Sequence, residues 1–408
     1  MTEAPPPHRP PLGIQLAVYG SGLFSNSLSN MMNIVVPLWV IALDPRPITI
    51  GLVLGARSFL PLLLSIHGGA MMDRLGTRRV MLFFATIAIV TTPLYPALPW
   101  MPALILLQMF NGLAASMGWI GAQTLVGQVM GGSTRQAGRL GFFSRVGSIG
   151  GPPAIGAVWD LFGPWPTFAL LTLPGFAMWL TARALPGESP ERSAIRPPAT
   201  RIRIGDLLPR PGDYMEAFRL LAAPVIAFVV MIAVIRISGQ GIKSSFYVVY
   251  LEQIGLTGTL IGILSSANSL TGGLGSLWAR AATRVMRAPL LLFLSVALSV
   301  VAMAVTPILG TFMLLLVVAS IRGVAMGMSQ PLMISILAKS SAVDIQGRAV
   351  GLRTTMNRLA TVVVPVGMGA LMEVVGIEMS FYITGALLLL LLAAPLAAMR
   401  RARRHLAA

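Results

Sequence analysis

Twelve runs of mostly apolar residues divide this 408-residue chain, and each is long enough as a helix to cross a hydrocarbon core of about 30 Å. No water in such a core can satisfy a bare amide, so a segment crossing it must pair its own backbone groups, as a helix does. The expected fold class is an all-α membrane protein. The spans, numbered 1 to 12 below, cover approximately 14–43, 48–72, 79–98, 101–130, 135–160, 164–185, 221–251, 258–282, 287–308, 311–338, 346–373 and 377–399. A mean hydropathy of +0.80 with 11% charged residues excludes an ordinary soluble domain.

The loops set the expected orientation. Arg74, Arg78 and Arg79, then Arg135 and Arg139, then Arg280, Arg284 and Arg287, and finally Arg400, Arg401, Arg403 and Arg404 flank alternate spans. The opposite loops hold Asp44, Asp160, Glu252, Glu373 and Glu378 against a single Arg46. By the positive-inside rule both termini and the central loop are cytoplasmic, as in a multi-pass protein of a bacterial-type inner membrane. The net charge of +17 then reflects topology, and no nucleic-acid partner is expected. The Pro-rich opening from Ala4 to Pro11 leads into a run longer than a signal-peptide core, so span 1 is read as a retained helix.

Composition also narrows the chemistry. The chain has no cysteine, and His8, His67 and His405 are scattered, so neither a metal nor another cofactor is expected. His67 reads as a packing residue and not a proton relay. Methionines such as Met31-Met32 and Met71-Met72 are adjacent in pairs, which do not face one another on a helix, and read as apolar filler. A phosphate-binding glycine loop, a nucleophile triad and paired catalytic acids are all missing, which argues against an enzyme or an ATP-driven pump.

The chain carries an internal repeat. At a shift of 213 residues, Arg135, Gly138, Arg145, Pro152, Gly156, Gly163 and Phe168 meet Arg348, Gly351, Arg358, Pro365, Gly369, Gly376 and Phe381, and Asp160 meets Glu373. Spans 5 and 11 are thus equivalent parts of a duplicated unit. Residues 1–185 form an expected six-helix bundle, 186–220 a polar, Pro-rich cytoplasmic linker, and 221–408 a second six-helix bundle with a basic tail. A site between two such halves, near the bilayer midplane, is the expectation for secondary transporters.

Between spans 2 and 3 stands Gly69-Ala-Met-Met-Asp73-Arg74-Leu-Gly76-Thr-Arg78-Arg79. With it the chain resembles the major facilitator superfamily over essentially its whole length, in particular its exporters of drugs and organic compounds. The resemblance implies two pseudo-symmetric six-helix bundles around a central cavity, with spans 1, 4, 7 and 10 innermost. It also implies that Gly69, Asp73, Arg74 and Arg78 act at the cytoplasmic gate, where Asp73 would sit against the start of span 11 near Arg348 and Gly351. In span 5, Gly138, Gly147, Gly151-Pro152 and Gly156 are similar to the pattern found in antiporters that export compounds, with Ala157 in place of one glycine. Gly147, Gly151 and Pro152 are read as gating residues, and Gly272, Gly273 and Gly275 of span 8 as their packing partner. The chain departs from proton-coupled relatives in having Gln108 where they have an arginine, no mid-membrane acid in span 1, and Ala279 in the second copy of the loop signature.

Basic residues lie deep inside several spans with no acid beside them: Arg57, Arg145, Arg236, Lys243, Arg322 and Arg358. A charge at that depth costs at least about 2.5–3.5 kcal/mol on insertion scales unless water, protein or ligand solvates it. At about 1.5 Å per residue, Arg57 lies roughly 14 Å into span 2 and Arg322 roughly 17 Å into span 10. Arg236, Gln240 and Lys243 share a face of span 7, as do Asn26, Asn30 and Asn33 of span 1, while Asn111 is mid-depth in span 4. All of these except Arg145 are the ten candidate substrate contacts. The equivalence of Arg145 and Arg358 also allows a scaffold role for both, and Arg353 is close enough to the span end to snorkel.

Arginine grips carboxylate or phosphate with a planar fork, and asparagine serves hydroxyls or amides. The sequence therefore points to a monomeric secondary transporter that moves a small organic anion or amphiphile by alternating access, with efflux by antiport preferred. Uptake or exchange of an anionic nutrient, a lipid flippase and a membrane sensor are the alternatives.

Overall fold

Gly163 and Gly376, paired by the internal repeat, both take a left-handed backbone, with φ of 72° and 80°. Each is the hinge at which a helix ends and the next begins, so the duplication extends to the turns. A side chain at either position would meet the steric penalty of positive φ. The computed structural model describes residues 11–43, 45–130, 134–185, 224–340 and 343–407. Within its helices, the side chains of 65–70, 73–74, 134–135, 137, 224–225, 334, 337–340, 343–351 and 394–407 are outside that description. The expected linker, 186–220, lies outside the described residues.

All regular structure among the described residues is helical. Single helices form span 1 (Leu12–Ala42), span 4 (Met101–Val129), span 5 (Thr134–Phe162), span 6 (Pro164–Arg183), span 8 (Gly258–Val285) and span 10 (Phe312–Ser340). Span 3 is Thr77–Thr91 followed by a turn of helix at Leu94–Ala97, and span 9 is Ala288–Ala304 followed by a 3-10 turn at Thr306–Ile308. Spans 11 and 12 run as Val343–Ala407, interrupted at Gly376. Span 2 is broken into Pro47–Ala56 and Phe59–Leu75, and span 7 into Pro224–Lys243 and Phe246–Gln253.

Five stretches among the described residues are long and apolar enough to cross a bilayer on those grounds alone: Pro47–Leu64, Met101–Val129, Ile226–Gln253, Phe312–Met333 and Leu352–Ala393. Span 1 carries three asparagines and does not qualify by itself. It is instead buried along much of its length, so its polar atoms are served by neighbouring helices and not by lipid. Leu106, Phe110, Trp165, Leu277, Trp278, Val317 and Leu390 are exposed and give the lipid-facing belt.

Lipid is as apolar as a leucine side chain, so helices here gain from close backbone approach and polar contacts more than from burial. Glycine marks those approaches. A Cβ on Gly156 of span 5 would collide with the carbonyl of Gly258 in span 8, and one on Gly262 would lie 2.5 Å from the carbonyl of Pro152. The equivalent seam joins span 11 to span 2: a Cβ on Gly51 would collide with the carbonyl of Pro365, and one on Gly369 would lie 2.6 Å from that of Pro47. Both seams cross between the halves. They close the molecule at the face opposite the two termini, called the distal face below.

The packing corrects one expectation. Span 8 is the partner of span 5 through Gly258 and Gly262, and of the three expected glycines Gly273 alone faces span 5, at Arg145, while Gly272 and Gly275 face span 10 at Gly327 and Val324. Gly147 and Gly151 pack against Ser27 and Met31 of span 1, inside their own half. Of the three expected gating residues of span 5, Pro152 alone is at the crossing.

Candidate functional site

The two broken helices place charged side chains at their breaks. In span 2 the break is Arg57-Ser58, and the carbonyl of Arg57 lies so close to Gly112 of span 4 that a Cβ there would collide with it. In span 7 it is Ser244-Ser245, directly after Lys243, with Ser245 at φ −130° and ψ −96°. The Ser245 hydroxyl donates back to the carbonyl of Gly241 at 2.6 Å and that of Ser244 to Gln240 at 3.1 Å, so local side chains serve the loosened backbone. Irregular backbone at membrane depth survives where it lines a cavity or is buried in protein. Here it does the former.

Four small cavities share walls in series, three of them between the halves and the last inside the second half. The first, about 180 Å³, is lined by Asn26, Ser29, Arg57, Ser58, Ser116 and Arg358 among others. Arg57 and Ser58 also line the second, about 150 Å³, with Asn33, Gln108, Ser244, Ser245 and Thr361. Asn33 and Ser244 continue into a third of about 20 Å³, where Asn30, Gln240, Lys243 and Tyr247 appear. Lys243 and Tyr247 lead to the last, about 10 Å³, with Asn268, Thr306 and Arg322. Among the described residues, none of the four walls contains a carboxylate.

The hydrogen bonds show how each cation is held. Arg358 donates to the hydroxyl of Ser116 at 2.8 Å, across the interface between the halves. Arg322, 4% exposed, donates to the carbonyl of Gly239 at 3.0 Å and to Gln240 at 3.5 Å, while its buried Nε has no partner. Lys243 donates to Asn268 Oδ1 at 3.0 Å, and Asn268 donates in turn to the carbonyl of Ala319 at 2.9 Å. Arg57 has a buried, unpartnered Nη1. An arginine N–H left buried without an acceptor costs the desolvation of a charged donor, about 1–3 kcal/mol or more. Two such donors on cavity-lining residues mark places where an acceptor is missing.

The other candidates divide. Asn26 and Asn30 line cavities but are also tied to span 5, Asn26 donating to the Ser144 carbonyl at 2.7 Å and to Ser148 at 2.6 Å, and Asn30 donating to Ser148 at 3.1 Å. Asn33 carries no such tie among the hydrogen bonds above and borders two cavities. Asn111 turns the other way: it is fully buried, donates to Thr92 of span 3 at 3.3 Å and lines none of the four cavities. Its neighbour Gly112 is consumed by the approach of Arg57, which fixes the rotation of span 4. Arg236 borders none of the four either, and its Nε is buried without a partner. Arg145 is exposed, 3.8 Å from where a Cβ on Gly273 would be.

Of the gate residues, Arg78 donates to the carbonyl of Arg183 at 3.0 Å, a tie between spans 3 and 6 of one half. Gly76, at φ 92°, turns the chain between spans 2 and 3. Gly69, Asp73 and Arg74, and likewise Arg348 and Gly351, are described only as helical backbone, so the expected gate contact lies outside the description.

Sequence reading missed Ser58, Ser116, Ser244, Tyr247 and Asn268 on the cavity walls, since lone hydroxyls and amides in apolar runs give no periodic signal. It also missed Asp160, read as a loop acid. Asp160 accepts from the backbone N–H of Gly258 at 2.7 Å, the N–H of Thr259 at 2.8 Å and the Thr259 hydroxyl at 2.5 Å. The first turn of span 8 has free donors and the positive end of the helix dipole, so a carboxylate is stabilised there. This clasp joins the halves at the distal face.

The family model described as Major Facilitator Superfamily matches residues 19–249 and 229–407. Among solved structures, the nucleoside transporter NupG in a mutant form is similar with a TM-score of 0.77 at 14% identity, over 94% of this chain and 99% of that one. Unmutated NupG gives 0.75 at 14% identity, over 95% and 99%. A bacterial homologue of the human lysosomal transporter Spinster, described as inward-facing and unoccupied, gives 0.66 at 14% identity, over 95% and 96%. These likenesses establish the architecture. Curated protein sequences give no match.

Proposed function

This chain belongs to the major facilitator superfamily and is a multi-pass membrane transporter, not an enzyme; we propose that it carries a small organic anion across the inner membrane by alternating access, in the direction of export. The observation that carries the reading is the row of cavities running from the interface between the halves into the second half, walled by Arg57, Lys243, Arg322 and Arg358 with no carboxylate among the described lining residues. A neutral or cationic cargo would leave those charges uncompensated at a depth where compensation matters. An anion supplies the missing acceptor for Arg57 Nη1 and Arg322 Nε.

In this reading the distal face is the outside, closed by the two glycine seams and the Asp160 clasp. Transport requires both seams to part. Opening toward the outside breaks three hydrogen bonds at Asp160 and separates Gly51 from Pro365. The cost of closure is then set partly by residues remote from the cargo, and a bound anion, by drawing the halves together through Arg57 and Arg322, shifts the balance between the two states. Export follows from the resemblance of span 5 to the antiporter pattern.

The test is flux in proteoliposomes against a panel of labelled organic anions, cations and neutral solutes, with and without a pH gradient. The expected result is saturable flux of an anion that Arg57→Gln reduces at least about tenfold, the cost of one charge-assisted hydrogen bond. Flux confined to cations or neutral solutes, or unchanged in that variant, overturns the anion assignment. Lipid scrambling without flux of any soluble solute would replace it with flipping.

A further inference from the structure

The charges of the cavity row are not spread evenly. They gather at two poles, Arg57 with Arg358 at one end and Lys243 with Arg322 at the other. Between the poles the walls carry uncharged amides and hydroxyls, among them Asn33, Gln108, Ser244 and Thr361. Each pole includes a guanidinium with one buried donor that has no acceptor, Arg57 Nη1 at the first and Arg322 Nε at the second. A basic residue at each pole also stands at a helix break, Arg57 before Ser58 and Lys243 before Ser244. The new segments begin after Ser58 and Ser245, which both line the second cavity, so the positive ends of two helices add to the charge of Arg57 there.

Space differs between the poles. The Arg57 end opens on cavities of about 180 and 150 Å³, whereas the Lys243 end has only about 20 and 10 Å³. The narrow end has room for little more than one or two water-sized groups. So small a space favours a compact end group such as a carboxylate over a ring. Lys243 has three donors and spends one on Asn268, so two remain for an acceptor.

We propose, building on the anion reading above, that the substrate is an elongated organic acid with acidic groups at both ends. A compact terminal carboxylate docks between Lys243 and Arg322, and the second acidic group docks on Arg57 and Arg358. A single negative charge would leave one pole unpaired; two satisfy both and hold the halves together, because Arg57 and Arg322 belong to opposite halves. The narrow pole sets specificity for the end group and the wide pole tolerates a bulkier one.

The experiment is uptake into proteoliposomes of labelled linear α,ω-dicarboxylates of increasing chain length, beside monocarboxylates of matching length. At one optimum length the diacid is expected to show a KM at least about tenfold below that of the monoacid, the worth of one further charge-assisted contact. Lys243→Gln should raise the diacid KM more than the monoacid KM and so abolish the diacid preference, while Lys243→Arg should keep it. Asn268→Asp, which neutralises the pole without removing the lysine, gives the same readout if the Lys243 variant does not insert. Equal KM for diacid and monoacid in the wild-type protein overturns the two-pole assignment and leaves anion transport standing. So does a Lys243→Gln variant that impairs both substrates equally. Uptake of neither kind of acid overturns both readings together.

Discussion

The two seams that join the halves descend from the same duplicated pattern, yet they are built differently. Where span 5 meets span 8, Gly156 and Pro152 approach Gly258 and Gly262, and Asp160 caps the first turn of span 8 with three hydrogen bonds. Where span 11 meets span 2, Gly369 and Pro365 approach Pro47 and Gly51 in the same manner, but Glu373, the counterpart of Asp160, is exposed. The physical reason is at the start of span 2, where Pro47 has no N–H to offer a carboxylate. The same split affects the paired arginines: Arg145 is exposed beside span 8, whereas Arg358 reaches Ser116 across the cavity. One seam became a clasp and the other carries Arg358 to a cavity wall. Duplication supplied the frame, and the proposed site lies where the copies diverged.

Four experiments break or sharpen that contrast. The largest effect is expected from Gly156→Val, whose side chain would collide with the Gly258 carbonyl and wedge the clasped seam apart. Flux should fall below detection while the protein still inserts. Because the chain has no cysteine of its own, a single cysteine placed on the distal stretch of span 8 should at the same time gain reactivity toward an impermeant thiol reagent. Next, Arg358→Gln should lower flux about tenfold with the same protein level, and Arg145→Gln should leave the substrate KM alone. If the two variants behave alike, the pair is scaffold in both halves and the contrast fails.

A smaller effect is expected at the clasp. Asp160→Ala should raise distal-face labelling several-fold and change flux by less than about tenfold, since one capping contact is typically worth about 1 kcal/mol and three share a single carboxylate here. Glu373→Ala should alter neither readout. The smallest belongs to Asn111→Ala: its amide serves Thr92 and no cavity, so the melting temperature should drop by a few degrees with KM unchanged. A raised KM would return Asn111 to the substrate.

Much of the frame was legible in the residues because its signals are periodic or repeated. The twelve apolar runs gave the spans, and the shift of 213 residues matched glycines that proved to share a left-handed turn, Gly163 and Gly376. Depth in the apolar runs also picked out Arg57, Lys243, Arg322 and Arg358, which line the cavities. The break at Arg57-Ser58 has a local cause that the span pattern passed over, since Pro61 lacks the N–H that would pair with the Arg57 carbonyl four residues back, while the break at Ser244-Ser245 follows Gly239 and Gly241 without a proline to mark it. Nor could spacing give the rotation of span 4, which turned Asn111 away from the cavity. Gly112 held that information, but a glycine shows its purpose only once the carbonyl of Arg57 is seen against it.

The cations of the cavity, which face no carboxylate among the described residues, are proposed to await a negatively charged cargo. The most direct measurement is the net charge carried per transport cycle, recorded as current from proteoliposomes on a solid-supported membrane while candidate solutes are applied. Anion-dependent current in the wild-type protein, suppressed in Arg57→Gln, is the predicted result. Current evoked by cations, or by anions equally in both proteins, would contradict it.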